Sequence, residues 1–387
     1  YQIIHELGEE NSTTGTDLQG MQANPDLNYA LGRDINASAT QGWGPTLWAD
    51  FDSYAEGYLT ESDYTFNRGF KSFDKTNDFE GLGHEIFGPL TGNIFSSFSN
   101  GKLANLNIEI SNEEKGLSRE VLGMVANTIS DVLVVNLKLD SKINAGTADI
   151  NTDPVYLSGV GAIAYQANNS EVYFSEVKAD ISASSDLGGF FGSANDCLIS
   201  NSFTSGSISG YITPNFSGGY SQESRFVGGV VGKAQSTKII NSYSLILPGE
   251  LYVLDYYSTQ YLSDGGASAD IINSFSDYGR ILGNADSNSS TTSSFSRIPF
   301  DDYEYANSSD AENGLEITDV SVFQTAGWDT DKIWHISDGE YPIFKWNVPL
   351  NDPPTDLNST ASLSIAENQP VGTIVGEFNA TDPEGGA

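Results

Sequence analysis

A short glycine-flanked apolar segment recurs four times along the chain, and this repeat restricts the possible folds more than any other feature. The four copies are LGMVA at 122–126, VGAIA at 160–164, GGFFG at 188–192 and GGVVG at 228–232. The intervals between their anchor glycines are 38, 28 and 40 residues, for the anchors Gly123, Gly161, Gly189 and Gly229. Intervals of roughly 20–50 residues are typical of stacked repeats. The spacing therefore predicts an array of similar coils.

The third and fourth copies each lead, 12 residues after the anchor glycine, into a triplet of Asn, Ser and an aromatic residue. These triplets are Asn201-Ser202-Phe203 and Asn241-Ser242-Tyr243, and related triplets occur at 273–275 and 293–295. Short strands bounded by Gly, Asn and Ser end at tight corners. We expect the Asn side chains to stack as a hydrogen-bonded ladder and the aromatic rings to point inward. The alternative, an antiparallel β-sandwich, does not require the triplet to recur.

The charge of the chain excludes several classes of partner. Lysine and arginine total 17 against 52 aspartates and glutamates, so the net charge is −35. A surface this acidic repels phosphate backbones and anionic lipids, which argues against nucleic-acid binding. No apolar run approaches the roughly 18 residues of a membrane span, so we expect no membrane insertion. The acidity fits a calcium-rich or saline medium, or solubility alone.

The only cysteine, Cys197, excludes an internal disulfide and a cysteine-based zinc site. Because it occupies an apolar position of the repeat, we interpret it as a buried structural thiol rather than a nucleophile. The three histidines, His5, His84 and His335, are far apart in the sequence. We expect them to be structural.

Two aromatic-rich insertions interrupt the repeat. The first spans residues 41–78 and the second includes 251–257. Aromatic side chains offer flat apolar platforms for sugar rings and large contact areas for proteins. The candidate ligand contacts are Trp43, Trp48, Tyr54, Tyr58, Tyr64, Tyr252, Tyr256 and Tyr257. Alternatively, the first insertion forms a small satellite core that packs on the coils.

Several segments, in a fixed order, resemble bacterial GLUG-motif, haemagglutinin-like surface proteins. The segments are TDLQ at 16–19, NYAL at 28–31, DINAS at 34–38, FEGLGHEI at 79–86, the four glycine segments, and GWD, IWHI and YPIFKW between 327 and 346. The resemblance implies an all-β, right-handed parallel β-helix over 1–347. Within it we expect an N-terminal cap at 14–40 with a short helix near 16–22, the insertion at 41–78, coils at 79–298 and a closing segment at 299–347.

The remaining residues resemble the start of a bacterial cadherin-like repeat. A proline-containing linker at 348–356 precedes LSIAEN at 363–368 and ATDPEGG at 380–386. The resemblance implies a truncated β-sandwich at 357–387 in a chain that continues into further such repeats. It also implies that calcium is bound by Glu367, Asp382 and Glu384, with Asp352 as a weaker candidate. Alternatively, these acids are solvated turn residues without an ion.

These observations favour a non-enzymatic adhesin region of a secreted bacterial surface protein. Its expected partner is a glycan or a protein on a cell or matrix surface. No phosphate-binding loop, zinc-protease motif, nucleophile elbow or dinucleotide fingerprint occurs in the sequence. A polysaccharide-degrading β-helix lyase or hydrolase is the alternative from another class, and a structural spacer is a third.

Overall fold

The chain folds as an all-β parallel β-helix, as the sequence predicted. The computed structural model describes residues 1–43, 70–90, 93–112, 122–144, 159–183, 186–212, 227–253, 320–337 and 339–348. It also describes shorter stretches at 269–272, 275–276, 282–284, 290–292, 295–296, 355–359, 366–371, 373 and 378–381. Each coil passes through three strand faces, which we number in the order in which the chain crosses them.

The strands of each face pair in parallel from one coil to the next. Two long strands, Phe95–Asn112 and Ala126–Asn144, continue through all three faces. Face 1 also contains Phe73–Thr76, Ala164–Asn168, Phe191–Asn195, Val231–Gln235 and Leu282–Asn284. Face 2 contains Gln2–Ile4, Tyr29–Leu31, Phe79–Glu80, Glu171–Tyr173, Leu198–Ser200, Thr237–Ile240, Ala269–Ile272 and Ser290–Thr292. Face 3 contains Ile35–Asn36, Glu85–Phe87, Glu176–Ala183, Phe203–Ile212, Tyr243–Val253, Phe275–Ser276 and Phe295–Ser296.

The core consists of inward-facing columns with one residue from each coil. The face 2 column is fully buried and runs through Tyr29, Phe79, Leu103, Val134, Val172, Ile199 and Ile239. Apolar groups in such a column lose contact with water on all sides, which is the main favourable term in folding. The column begins with face 2 strands before residue 79, so the predicted start of the coils was too late.

Each coil turns twice at a residue with a left-handed backbone. The corner between faces 1 and 2 uses Asn77, Asn100, Asp131, Asn169, Asp196 and Ser236. The corner between faces 2 and 3 uses Leu82, Asn105, Asn136, Phe174, Asn201 and Asn241. Asn and Asp adopt this conformation at less cost than other residues that carry a side chain. The asparagine of the recurring triplet is therefore the corner residue itself.

A hydroxyl ladder lines the inner side of these corners, immediately after the left-handed residues. The Ser202 hydroxyl donates to the Ser200 carbonyl at 2.9 Å and accepts from the Ser175 amide at 3.1 Å. The Ser242 hydroxyl repeats this with Ile240 and with the Ser202 amide. We expected stacked asparagines to satisfy these backbone groups. Asn136 does donate to Asn105, but the buried amide and carbonyl at this corner are satisfied by serine, which is short enough to reach both.

The four glycine segments form a separate parallel sheet of two-residue strands: Leu122–Gly123, Val160–Gly161, Leu187–Gly188 and Val227–Gly228. Their register aligns Gly123, Gly161, Gly188 and Gly228. The third and fourth anchors are therefore Gly188 and Gly228 rather than Gly189 and Gly229, and the coil from Gly161 to Gly188 is 27 residues long. A Cβ atom on Gly188 would lie 1.9 Å from the Phe191 carbonyl oxygen. Glycine is required because two stretches of backbone meet there.

The aromatic residues of the first two triplets, Phe203 and Tyr243, face outward, which corrects the expectation that they point into the core. Phe203 is in register with Glu176, an outward residue of the preceding coil, and with Tyr243 of the next coil. The two rings stack with centroids 4.8 Å apart. They are buried because Trp328, which follows the helix Val320–Thr325, packs beside Tyr243. The closing segment thus covers an outer aromatic stack.

The N-terminal cap contains the predicted short helix as a 3-10 helix at Gln19–Ala23. Asp17 accepts hydrogen bonds from the Gly20 amide at 2.6 Å and from the Ser12 and Thr14 hydroxyls. The buried Gln19 side chain pairs in both directions with the backbone of Lys71. A second 3-10 helix spans Ser38–Gly42. The two bonds between Gln19 and Lys71 attach the cap to the segment that leads into the strand Phe73–Thr76.

The described chain divides into two compact units. The first comprises Tyr1–Trp328 and Ser337–Glu340, and the second comprises Asp329–Ile336 and Tyr341–Ala387. In the second unit, Trp334–His335 pairs antiparallel with Ile343–Phe344, and Thr355–Ser359 with Phe378–Thr381. A 3-10 helix spans Lys345–Asn347. The buried Trp334 ring stacks on Phe344, with centroids 4.8 Å apart.

We expect Gly188→Ala to destabilise the first unit by about 2 kcal/mol, since the added methyl group overlaps backbone on two sides. Gly42→Ala is the matched control, because no atom lies within 4 Å of the new methyl group. Chemical denaturation followed by far-ultraviolet circular dichroism gives both values. Equal midpoints for the two variants would contradict the close packing of the glycine sheet.

Candidate ligand-contact surface

Face 1 presents two ranks of polar side chains on its outer side. The first rank is Asp74, Ser97, Thr128, Gln166, Ser193 and Lys233, and the second is Thr76, Ser99, Ser130, Asn168, Asn195 and Gln235. All twelve side chains are exposed or half-buried. The residues between the two ranks, from Lys75 through Phe98 and Ile129 to Ala234, are buried. Alternation along each strand therefore places both ranks on one side of the sheet. We call this surface the polar face.

The polar face differs from face 3 in charge. In the three coils from Phe95 to Ala183, face 1 contributes six outward residues, none of them charged. In the same coils, seven of the ten outward residues of face 3 that the structure describes are charged: Glu109, Lys138, Asp140, Lys142, Glu176, Lys178 and Asp180, beside Asn107, Ser111 and Ser182. The ion pair of Lys178 with Asp140, at 2.9 Å, lies on face 3. Charge is thus segregated between faces of the same coils.

Two carboxylates flank the polar face at the corner beside its second rank. Asp131 accepts a hydrogen bond from the Asn169 amide, and Asp196 accepts one from the Asn195 amide at 3.2 Å. Within the first rank, the Ser97 hydroxyl donates to Asp74 at 2.7 Å. Amide and hydroxyl donors thus accompany the acids at the margin of this face.

The polar face could have been found in the sequence. In three of the repeats, an alternating stretch overlaps the end of the glycine segment: AYQAN at 164–168, FGSAN at 191–195 and VGKAQ at 231–235. The third and fifth letters of each stretch are polar, and the fourth is alanine. This alternation predicts a strand with one buried face.

Of the predicted aromatic contacts, the structure describes Trp43 and the backbone of Tyr252. Trp43 is half-buried against the core and stacks on Phe70, with centroids 6.4 Å apart. Phe70 is buried in that core. The first insertion is therefore anchored to the coils where it begins and where it ends. Trp48, Tyr54, Tyr58 and Tyr64 lie outside the described residues.

In the second insertion, Tyr252 lies in the strand Tyr243–Val253, and its backbone is in register with Tyr211. Tyr256 and Tyr257 lie outside the described residues.

Of the predicted calcium ligands, Glu367 is exposed in a turn, and Asp352, Asp382 and Glu384 are outside the described ranges. Within those ranges, no three His, Cys, Asp or Glu side chains converge as a metal site would require.

The pair formed by His84 and Asp34, and the turn at Asp329, are structural. His84 Nδ1 lies 3.1 Å from Asp34 Oδ1, and Asp34 also accepts from the Glu85 amide at 3.0 Å. These bonds, chiefly the one from Glu85, lower the pKa of the Asp34 carboxyl. In the second unit, the Asp329 carboxylate accepts the amides of Asp331 and Lys332 and so fixes a turn. The sequence prediction that His84 is structural fits this geometry.

Lys75 is the most deeply buried cation in the described part of the chain. Its ammonium donates to the carbonyls of Leu27 at 2.9 Å and Asn77 at 3.1 Å, and to that of Thr76. It also lies over the rings of Tyr29 and Phe98, 5.6 and 5.7 Å from their centroids. Burial lowers the pKa of Lys75 to about 8. Because three carbonyls hold the ammonium, we assign it to fastening the N-terminal coils.

Cys197 occupies the column of the inner ladder that contains Ser170 and Thr237. Its amide donates to the Thr237 hydroxyl at 3.4 Å, and its thiol donates to the Asn195 carbonyl at 3.3 Å. The side chain is buried, and burial raises its pKa to about 11. The thiol thus takes the place of a ladder hydroxyl, which agrees with a structural role.

Comparison with known proteins gives few matches. No protein-family model matches the chain, and no curated protein is significantly similar to it. One similar solved structure, described as an IgA1 protease, is 18% identical with a TM-score of 0.46, over 75% of this chain and 22% of that one. This chain therefore spans about a fifth of its length. Another, described as a proposed immunoglobulin A1 protease from Bacteroides ovatus, is 13% identical with a TM-score of 0.42, over 89% and 92% of the two chains. Similarity at this level carries no inference about activity.

We expect Cys197 in the folded protein to react with a thiol reagent at pH 8 at least about a hundredfold more slowly than in denaturant. A pKa raised from 9.0 to about 11 leaves that much less thiolate, before shielding by the coils is counted. The measurement is the rate of labelling by a chromogenic disulfide. Equal rates in the folded and denatured protein would contradict the buried ladder position.

The control for labelling is Ser193→Cys in a Cys197→Ser background, which places a thiol on the polar face and should react rapidly.

The raised pKa of Cys197 also has a consequence for stability. Because the folded state keeps its proton between about pH 9 and 11 while the unfolded state loses it, stability should fall across this window by up to about 3 kcal/mol. Cys197→Ser should remove this fall.

Proposed function

We infer that the chain is a non-enzymatic, ligand-contacting module of a bacterial surface protein, an adhesin region. The observation that carries this proposal is the coil-to-coil register, which aligns one outward residue from each coil into long ranks. Such ranks make extended surfaces suited to polymers and to other surfaces rather than to one small molecule. Ligand pockets for small molecules are concave and mostly apolar, whereas the polar face is built from side chains on regular strands.

Four ionisable groups that are buried or bonded to the backbone have structural roles and do not point to catalysis. A general acid or base must reach a proton of the substrate. Asp17, Lys75 and Asp329 instead direct their charges to backbone groups of the protein. Cys197 is held as a thiol by burial. These groups are explained by folding, and a polysaccharide-degrading activity is not needed to account for them.

Secretion and display on calcium-dependent cadherin-like repeats are the further parts of this proposal. They rest on the sequence resemblance after residue 350 and on the net charge of −35. The antiparallel pair of Thr355–Ser359 with Phe378–Thr381 is of the kind from which a β-sandwich is built. None of the helices in the described residues has the length and hydropathy of a membrane span.

The function is tested by combining two measurements on the full chain. The first is retention on an array of glycans and matrix proteins, and the second is release of reducing sugar or unsaturated product from the same glycans. We expect retention without release. Release of sugar would overturn the adhesin in favour of the enzyme, and no retention on any of these surfaces would leave a spacer.

Calcium is tested separately by titration calorimetry and thermal unfolding of the full chain. If Glu367 helps to hold the ion, calcium at a hundred times its dissociation constant should stabilise the second unit by about 2.7 kcal/mol. Glu367→Gln should remove that gain, whereas Glu109→Gln, which changes an exposed acid of face 3, should not. A gain that persists in Glu367→Gln would contradict this ligand assignment.

A further inference from the structure

We propose that the polar face binds an extended, uncharged polysaccharide, lying across the six coils from Phe73–Thr76 to Val231–Gln235. This inference rests on the proposed binding function and names its site and ligand class. It replaces the aromatic insertions as the primary contact surface.

The charge of the polar face is the first argument. The whole chain carries 52 acidic residues, yet ten of the twelve side chains in the two ranks are uncharged. The two exceptions, Asp74 and Lys233, lie at opposite ends of the first rank. A neutral partner avoids the repulsion that the rest of this surface exerts on anions. Binding on the polar face also desolvates few charges, whereas binding on face 3 would desolvate many.

The regularity of the two ranks is the second argument. Parallel strands lie about 4.8 Å apart, and alternate residues of a strand are roughly 6.6 Å apart. Six coils therefore repeat the same polar positions at a constant interval along the helix axis. A polymer of identical units can form hydrogen bonds at several of these positions, and linked contacts raise the overall affinity well above that of a single one. A folded protein partner has no such repeat.

The chemistry of the side chains is the third argument. Hydroxyls and amides both donate and accept hydrogen bonds, as sugar hydroxyls do. In the first rank Gln166 lies between Thr128 and Ser193, and in the second rank short hydroxyl residues are followed by the longer amides of Asn168, Asn195 and Gln235. Donors and acceptors are therefore offered at different distances from the sheet. An ice surface would instead require one uniform short side chain along a rank, and only Thr76 and Thr128 are threonines here.

The placement of the ranks on strands is the fourth argument. The columns beneath them are buried, and the strands pair with both neighbours, so the side chains have fixed positions before a ligand arrives. A preorganised surface loses less conformational entropy on binding. Weak individual sugar contacts can therefore add up along the face.

The experiment measures binding of the full chain to immobilised uncharged polysaccharides, namely xylan, mannan, dextran and cello-oligosaccharides, beside the acidic polymers alginate and hyaluronan. The test variant is Ser193→Arg, which places a long cation in the first rank, between Gln166 and Lys233. The matched control is Ser205→Arg, a serine in the same coil that is half-buried on the outer side of face 3. Circular dichroism and the unfolding temperature check the fold of each variant.

We expect the protein to bind at least one uncharged polymer, Ser193→Arg to weaken this binding at least tenfold, and Ser205→Arg to leave it within twofold. If Ser193→Arg proves unstable, Thr128→Ala combined with Ser193→Ala removes two hydroxyls without adding bulk, and should weaken binding at least threefold.

Three outcomes would overturn the assignment while leaving an adhesin standing. These are binding of only acidic polymers, binding of only proteins, and binding of uncharged polymers that Ser193→Arg does not change. Thermal hysteresis of ice growth by the wild-type protein, lost in Ser193→Arg, would replace the polysaccharide with ice. Failure to bind any surface would overturn the proposed function as well.

Discussion

The structure depends on one constraint, which is that every coil pairs its backbone with the coil above and the coil below. An unpaired buried amide or carbonyl costs as much as a lost hydrogen bond, so consecutive coils must keep the same cross-section. Corners therefore stack on corners. This requirement explains the left-handed residues at Asn201 and Asn241, the serine that follows each of them, and Gly188 where no Cβ fits.

The same constraint builds the surfaces. Because residues of successive coils lie in register, the outward positions form ranks whose chemistry is set by one residue from each coil. Face 1 has become a neutral hydroxyl and amide surface, and face 3 has become a charged one. The same register stacks the rings of Phe203 and Tyr243 on the outer side of face 3. Trp328 packs beside Tyr243. In this architecture the chemistry of a surface is set by residues from successive coils rather than by a local sequence motif.

Prediction succeeded where the signal was local and was wrong where it depended on the direction of a side chain. The glycine segments identified the repeat, yet the third and fourth anchors were placed one residue late because each of these two segments begins with two adjacent glycines. The triplets identified a corner, but serine carries out the hydrogen bonding expected of asparagine, and Phe203 faces outward. The predicted contact at Trp43 packs on Phe70. The polar face was missed since its residues are separated by a full coil.

The sequence by itself indicated the class of fold, because glycine, asparagine and apolar residues recur at intervals typical of stacked coils. It also determined the acidity of the chain and the buried position of Cys197. The tertiary structure decided which polar residues share a face. Residues such as Ser97, Thr128, Gln166 and Ser193 are far apart along the chain and become neighbours only through the pairing of their strands. Register is a property of the assembled coils, and it alone joins these side chains into one surface.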